Sequence, residues 1–315
     1  MYTLYPPIEP LNQHRVQVDS VHTLYFEQSG NLAGIPVLFI HGGPGAGSTE
    51  KHRRYFDPTL YHIINFDQRG CNRSIPQGSV RNNSTEELLA DIELIRERLG
   101  LEQWLIFGGS WGSTLCLLYA EAFPQRVTGM ILRGVFLARQ CDQDWFFQNG
   151  VNRLFPEAWD KFRNFITLAE QHNLVRAYYE IVHHEQAEFS RAAASHWASW
   201  TGTVVGWMLD SSDYPIDMDR VLNEVRIETH YARHNYFIEE NQILDRITQV
   251  PNVPTTIIHG RRDLTCTLDA SWALHQSLPG SELVIVRDGG HLASEPVMIN
   301  ALIQATNTMA RRIPA

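Results

Sequence analysis

The chain has little that would suit an oxidising compartment, a membrane or a nucleic-acid complex. Its four cysteines, Cys71, Cys116, Cys141 and Cys266, form no Cys-x-x-Cys pair and no metal spacing with histidine. Reduced thiols in a cytoplasmic protein are the expectation. The N-terminus, Met-Tyr-Thr-Leu-Tyr-Pro-Pro, lacks a basic stretch leading into an apolar one, and no run approaches the roughly 18 continuous apolar residues of a spanning helix. Export and membrane insertion are both unexpected. Positive charge is in deficit: 26 Lys and Arg against 35 Asp and Glu leave a net −9. That balance argues against nucleic acid or an anionic lipid surface as partner and tolerates a cationic substrate. Also missing are a His-Glu-x-x-His zinc motif and a Gly-x-Gly-x-x-Gly fingerprint after the first strand. Gly43-Pro44-Gly45-Ala46-Gly47 has no Lys-Ser/Thr to make it a phosphate loop. There is no internal repeat or low-complexity linker.

What is present is enough apolar sequence, 43% of 315 residues, for one large α/β domain or one domain carrying an insert. Residues 14–28 alternate with period two across a turn near Asp19-Ser20 and predict an antiparallel edge hairpin. Short apolar runs at Pro36–Ile40, Tyr61–Phe66, Gln103–Phe107 and Val127–Leu132 predict buried parallel strands. Ser84, with Glu87 three residues on, opens a helix whose face is Leu88, Leu89, Ile92, Ile95 and Leu99, and Gly100 ends it. Strand runs become scarce between about 136 and 248, where aromatic, helix-compatible sequence predicts a mostly helical insert. The sheet pattern resumes at Pro254–His259 and Glu282–Val286. A closing helix from about Glu295 to Arg311 follows. The strand–helix alternation predicts an α/β fold, a mostly parallel sheet flanked by helices and built from residues 1–135 and 249–315, with 136–248 as a mostly helical insert.

The organising stretch is Trp104-Leu105-Ile106-Phe107-Gly108-Gly109-Ser110-Trp111-Gly112-Ser113. An apolar strand runs into Gly-x-Ser-x-Gly and straight on into a helical run, the context in which this pattern carries a nucleophilic serine. The glycines leave room for strand and helix to pack around so sharp a turn. The helix start aims N–H groups at negative charge developing near Ser110. Such a serine needs a base, and a carboxylate to hold that base. Both are expected later in the chain, acid before histidine, each after a strand. Asp263 follows Thr255–His259, and His291 follows the strand ending at Val286. Asp288 competes with Asp263 but lies only three residues from His291. Trp111 is expected to supply one oxyanion N–H and the His41–Gly47 loop, at Gly43, the other. The His183-His184 pair reads as solvated helix surface.

Together His41-Gly42-Gly43-Pro44-Gly45, Asp67-Gln68-Arg69-Gly70, Gly108-Gly109-Ser110-Trp111-Gly112-Ser113, His259-Gly260-Arg261 before Asp263, and Gly290-His291 resemble the proline iminopeptidases. These are α/β-hydrolase serine peptidases that remove an N-terminal proline. The similarity runs over nearly the whole chain. It implies Ser110 as nucleophile, His291 as general base and then acid, Asp263 as its orienter, and Gly43 and Trp111 as oxyanion donors. It implies no cofactor and no metal. The implied partner is a small peptide with a free N-terminus; nothing in the sequence specifies an oligomeric state.

The resemblance further implies cap carboxylates that hold the substrate's amino group. Arg226-Ile227-Glu228-Thr229-His230-Tyr231 matches the segment that carries one of them, at Glu228. The other usually follows a Trp-x-x-Trp pair, yet Trp197-Ala198-Ser199-Trp200 is followed by Thr201. A partly desolvated ammonium wants compensating charge, so Thr201 marks either weaker amine binding, replacement by an acid such as Asp210, or a changed substrate. The alternatives to an aminopeptidase are an esterase or amidase with the same triad and, in a different class, a non-catalytic binding protein. Cys71 and Cys266 flank these motifs, and thiol reagents are expected to inhibit by crowding the site.

Overall fold

The computed structural model describes residues 1–208 and 217–313. Among the described residues, eight strands form one sheet: β1 (Asn12–Gln17), β2 (Thr23–Gly30), β3 (Ile35–Ile40), β4 (Tyr61–Asp67), β5 (Trp104–Ser110), β6 (Val127–Val135), β7 (Thr255–Gly260) and β8 (Ser281–Val286). Their spatial order is β1-β2-β4-β3-β5-β6-β7-β8. The β1–β2 hairpin joins β4 antiparallel, and every pairing from β4 to β8 is parallel. The period-two stretch therefore lies at the edge. The continuous apolar runs lie inside, where helices cover both faces and alternation has no use.

On one face, helices Thr85–Arg98, Trp111–Ala122 and Leu268–Ser277 pack on Leu38, Ile106 and Leu132. On the other, helix Pro296–Met309 covers Val37, Leu105 and Ile131. Helix Thr85–Arg98 has the expected capping box, with the Ser84 N–H donating to Glu87 at 2.7 Å, and Gly100 follows at φ 66°. Helix Trp111–Ala122 is buried on all sides from Trp111 to Ala120, so its sequence is apolar without a polar face.

Chain order reverses at β3: β4 lies on one side of it and β5 on the other. In such sheets the crevice beyond the carboxyl ends of the diverging strands is where ligands sit. The loop after β3 begins at His41, and β5 ends at Ser110.

Between β6 and β7 the described residues form helices and no strand, including Gln140–Phe147, Pro156–Asn164, Leu174–Val182, Ala187–Val205 and Met218–Arg233. This inserted region has its own core of Phe162, Tyr178, Trp197 and Trp200. The Phe162 and Tyr178 rings stack at 4.5 Å. Full burial of a side chain of this size contributes about 1.5–3 kcal/mol, and several such anchors account for helices that share few contacts with the sheet. Helix Met218–Arg233 is tied to the sheet domain at Asn83. There His230 Nε2 donates to the backbone oxygen at 2.9 Å, and the Tyr231 hydroxyl to the side-chain oxygen at 2.8 Å. His183 corrects a sequence expectation. It is half-buried against Tyr179, with ring centres 4.4 Å apart, and burial lowers its pKa to about 4; His184 alone is solvated.

Candidate active site

Ser110 ends β5 and immediately precedes helix Trp111–Ala122, with φ 55° and ψ −128°. A residue with a β-carbon stores about 1–3 kcal/mol of strain in such a conformation, which persists only where the surroundings enforce it. The glycines show how. A β-carbon at Gly112 would sit 2.2 Å from the Ile40 carbonyl oxygen, and one at Gly108 would sit 2.2 Å from that of Gly112. Strand β3, the turn and the helix are thus in backbone contact. Ser113 tightens the turn by donating to the Ser110 carbonyl at 2.6 Å.

Asp263 and His291 are brought together from the loops after β7 and β8. His291 Nδ1 donates to Asp263 Oδ2 at 2.8 Å, and both side chains are buried. The other Asp263 oxygen accepts the backbone N–H groups of Thr265 and Cys266, each at 2.9 Å. Burial alone would raise the Asp263 pKa, but the adjacent imidazole His291 and these hydrogen bonds leave it below its ordinary value. Asp288, the sequence competitor, points to the surface and pairs with Arg262 at 2.6 Å.

The Ser110 hydroxyl and His291 line one cavity of about 550 Å³, together with Gly43, Thr201 and Glu228. In this structure Ser110 Oγ does not bond His291. Its polar neighbour is Cys266 Sγ at 3.9 Å, while His291 Nε2 faces Arg133 Nη1 at 3.4 Å. Hydrogen bonds of this kind often tighten only when substrate binds.

The Gly43 loop is braced from beneath. The Gln68 N–H donates to His41 Nε2 at 3.0 Å, Gln68 Nε2 donates to the His41 carbonyl at 2.8 Å, and Trp111 Nε1 donates to Gln68 Oε1 at 3.0 Å. Burial lowers the His41 pKa, so the ring is neutral and can accept that N–H. His-Gly-Gly-Pro-Gly and Asp-Gln-Arg-Gly are therefore two halves of one support. Trp111, at the helix start, belongs to the same network.

Glu228 reaches the cavity from helix Met218–Arg233. Burial raises its pKa to about 7; the Trp197 indole N–H beside it pulls the other way, and the Glu224 charge adds to the rise. Thr201 lines the same cavity from helix Ala187–Val205, but its hydroxyl turns back to the Ala198 carbonyl at 3.3 Å. Asp210 lies outside the described residues.

Three charged residues of this cavity, Lys51, Arg133 and Glu224, were missed in the sequence. Arg133 interrupts an apolar strand one position before Gly134, a signal that a charge is needed at a carboxyl end of the sheet. Glu224 lies one helical turn before Glu228, a spacing that puts both on one face.

Residues 35–296 match the α/β-hydrolase fold family. The chain is 42% identical over 312 residues to a proline iminopeptidase of Xylella fastidiosa (strain Temecula1 / ATCC 700964), covering 98% of this chain and 99% of that protein. The chain belongs to the proline iminopeptidase family of α/β hydrolases. A second family member, the proline iminopeptidase of Arabidopsis thaliana, is 41% identical, with 98% of this chain and 82% of that protein covered. A thermophilic esterase from Thermogutta terrifontis shares the fold at a TM-score of 0.59 and 18% identity, covering 95% of this chain and 98% of that one. The sequence resemblance is thereby borne out at the level of family and fold. Among the described residues no helix is long and apolar enough to cross a membrane.

Proposed function

We propose that this protein is a serine aminopeptidase that releases proline from the free N-terminus of small peptides. The observation that carries the reading is that Ser110, His291 and the carboxylate of Glu228 share one cavity in a chain of this family. Ser110 Oγ attacks the carbonyl carbon of the first residue and passes its proton to His291 Nε2. Asp263 keeps Nδ1 protonated and stabilises the imidazolium that forms. The N–H groups of Gly43 and Trp111 take the negative charge on the carbonyl oxygen, in a site where water does not screen them. His291 then protonates the departing amine, and water attacks the acyl-enzyme by the same route. Glu228 holds the substrate's ammonium, and residues 136–248 act as a cap over the bound residue, with residues 1–135 and 249–315 as the catalytic domain. The free thiols, one of them exposed, suit a reducing cytoplasm.

Hydrolysis of proline β-naphthylamide, compared with an acetylated proline amide and with simple esters, tests this reading. A strong preference for the free N-terminal proline is expected, and equal rates on free and blocked substrates would overturn it. One observation favours a second reading. Thr201 offers the cavity no carboxylate, and its hydroxyl proton goes to the Ala198 carbonyl, which suits an esterase or amidase that has lost amine recognition. On that reading Thr201→Glu creates proline-peptide cleavage; an already efficient wild type rules it out.

A further inference from the structure

We propose that Glu224 is the second carboxylate for the substrate ammonium, so that the amine is clamped from one helix, by Glu224 and Glu228, rather than between two. The inference rests on the aminopeptidase reading and names a specificity-determining residue within it.

The placement follows from helix geometry. Residues four apart lie one above the other on the same face, and both residues of this pair line the cavity that contains Ser110. The helix is held close over the Gly43 loop at this level: a β-carbon at Gly45 would lie 2.7 Å from the Glu224 carbonyl oxygen and 3.2 Å from its Cα. Glu224 is therefore fixed beside the turn that carries the oxyanion N–H of the proposed mechanism.

The charge distribution gives the pair a ligand to seek. Glu224 Oε1 accepts from Arg220 at 2.8 Å, an ion pair in which the Arg220 side chain is 61% and the Glu224 side chain 35% exposed. The Glu228 carboxylate has the Trp197 indole N–H as its hydrogen-bonding neighbour and, among the described residues, no cation paired with it. Burial disfavours the charged form of both carboxyls, and each Glu224 charge makes that of Glu228 harder to hold. A single cation between them removes both penalties. A protonated N-terminal amine has the size, the charge and the two or more N–H donors that such a pair accepts. Ala198, Thr201 and Gly202, all small residues, line the same cavity from helix Ala187–Val205. With no acid at 201, that wall leaves space for the ring of the first residue, and recognition of its amine falls to the facing helix.

The test compares kcat and KM of wild type, Glu224→Gln, Glu224→Asp and Glu228→Gln on proline β-naphthylamide and on p-nitrophenyl acetate. Active sites are counted by fluorophosphonate labelling of Ser110, so a poorly folded variant is corrected for. Removing one carboxylate from a partly buried pair is expected to raise KM for the amine substrate by about tenfold or more. This loss exceeds that on the acetate ester by at least about tenfold, and Asp at 224 recovers part of it. A wild type that prefers the free N-terminus, with Glu224→Gln keeping both KM and that preference, overturns the role of Glu224 and leaves the aminopeptidase reading standing. A wild type that does not prefer the free N-terminus overturns both.

Discussion

Asp263 and His291, from loops after neighbouring strands, meet with Oδ2 and Nδ1 2.8 Å apart, the carboxylate fully buried and the imidazole at the cavity wall. The space for this contact comes from the end of a third strand, β6. Gly134 has φ 53°, and a β-carbon there would lie 3.1 Å from Asp263 Oδ2 and 3.5 Å from His291 Nδ1.

Asp263→Asn keeps the shape but removes the charge that fixes the imidazole tautomer. Its kcat on proline β-naphthylamide should fall by about 10⁴-fold, with fluorophosphonate labelling of Ser110 correspondingly slow. The same change should alter acid stability. The folded pKa of Asp263 is depressed, so its contribution is present above the unfolded carboxyl value and is lost as pH falls through the folded one. Urea midpoints measured from neutral to acid pH should therefore decline less steeply in Asp263→Asn than in wild type.

Glu228 gives the opposite sign. Its folded pKa, raised to about 7 with burial as the leading cause, means the folded state binds more protons than the unfolded state between the ordinary glutamate value and 7. Stability from this group declines as pH rises through that window. Binding of an ammonium needs the ionised form, so the ratio of kcat/KM for proline β-naphthylamide to that for p-nitrophenyl acetate should rise with pH and level off above about 7. Below that pH it should fall by about tenfold per unit; taking the ratio cancels the titration of the shared base. A flat ratio from acid to neutral pH would remove Glu228 from amine recognition.

The strands, the helical insert and the gathering of Ser110, Asp263 and His291 at one end of the sheet were legible because each has a local signature. Continuous apolar runs mark buried parallel strands, and glycines flanking Ser110 mark backbone contact. A carboxylate and a histidine after successive strands mark loops that converge at one end of the sheet. Glu224 and Arg133 were not legible in the same way. Nothing local separates a cavity-facing glutamate from a solvated one on a helix whose orientation is set by tertiary packing at Asn83. Likewise His183 was misread because its burial comes from Tyr179, one turn earlier on the helix Leu174–Val182, and from the helix packed alongside it. Cys71 and Cys266 looked equivalent in sequence, since only the three-dimensional arrangement brings one of them to Ser110.

Gly112→Ala and Gly100→Ala separate backbone strain from active-site geometry. At Gly112 the new β-carbon meets the Ile40 and His41 carbonyl oxygens at 2.2 and 3.0 Å, and overpacking of that kind costs about 1–3 kcal/mol or more. At Gly100 it meets nothing within 4 Å. There the cost is only that of φ 66°, about 1–2 kcal/mol. Urea denaturation should show both variants destabilised. Only Gly112→Ala should also lose kcat, because the strain is relieved by moving the His41 loop and with it the Gly43 N–H. Equal kcat in the two variants would show that the turn does not support the oxyanion site.

Thiol modification should distinguish Cys266 from the other three cysteines. Cys141 is exposed, whereas Cys71, Cys116 and Cys266 are buried, and burial raises the last three thiols well above the usual cysteine value. Thiolate is scarce in those sites, so they react slowly. Methyl methanethiosulfonate should first modify Cys141 with no change in activity. Inactivation should then follow the slow phase. A methylthio group on Cys266 enters the pocket it shares with Ser110, Phe136 and Phe146, from a sulfur only 3.9 Å from the serine hydroxyl. Cys266→Ala should stay active through the full course of the reagent, and Cys71→Ala should be inactivated as fast as wild type. Resistance in Cys71→Ala instead would shift the sensitive thiol to the loop after β4, where its route to the active site runs through Gly45.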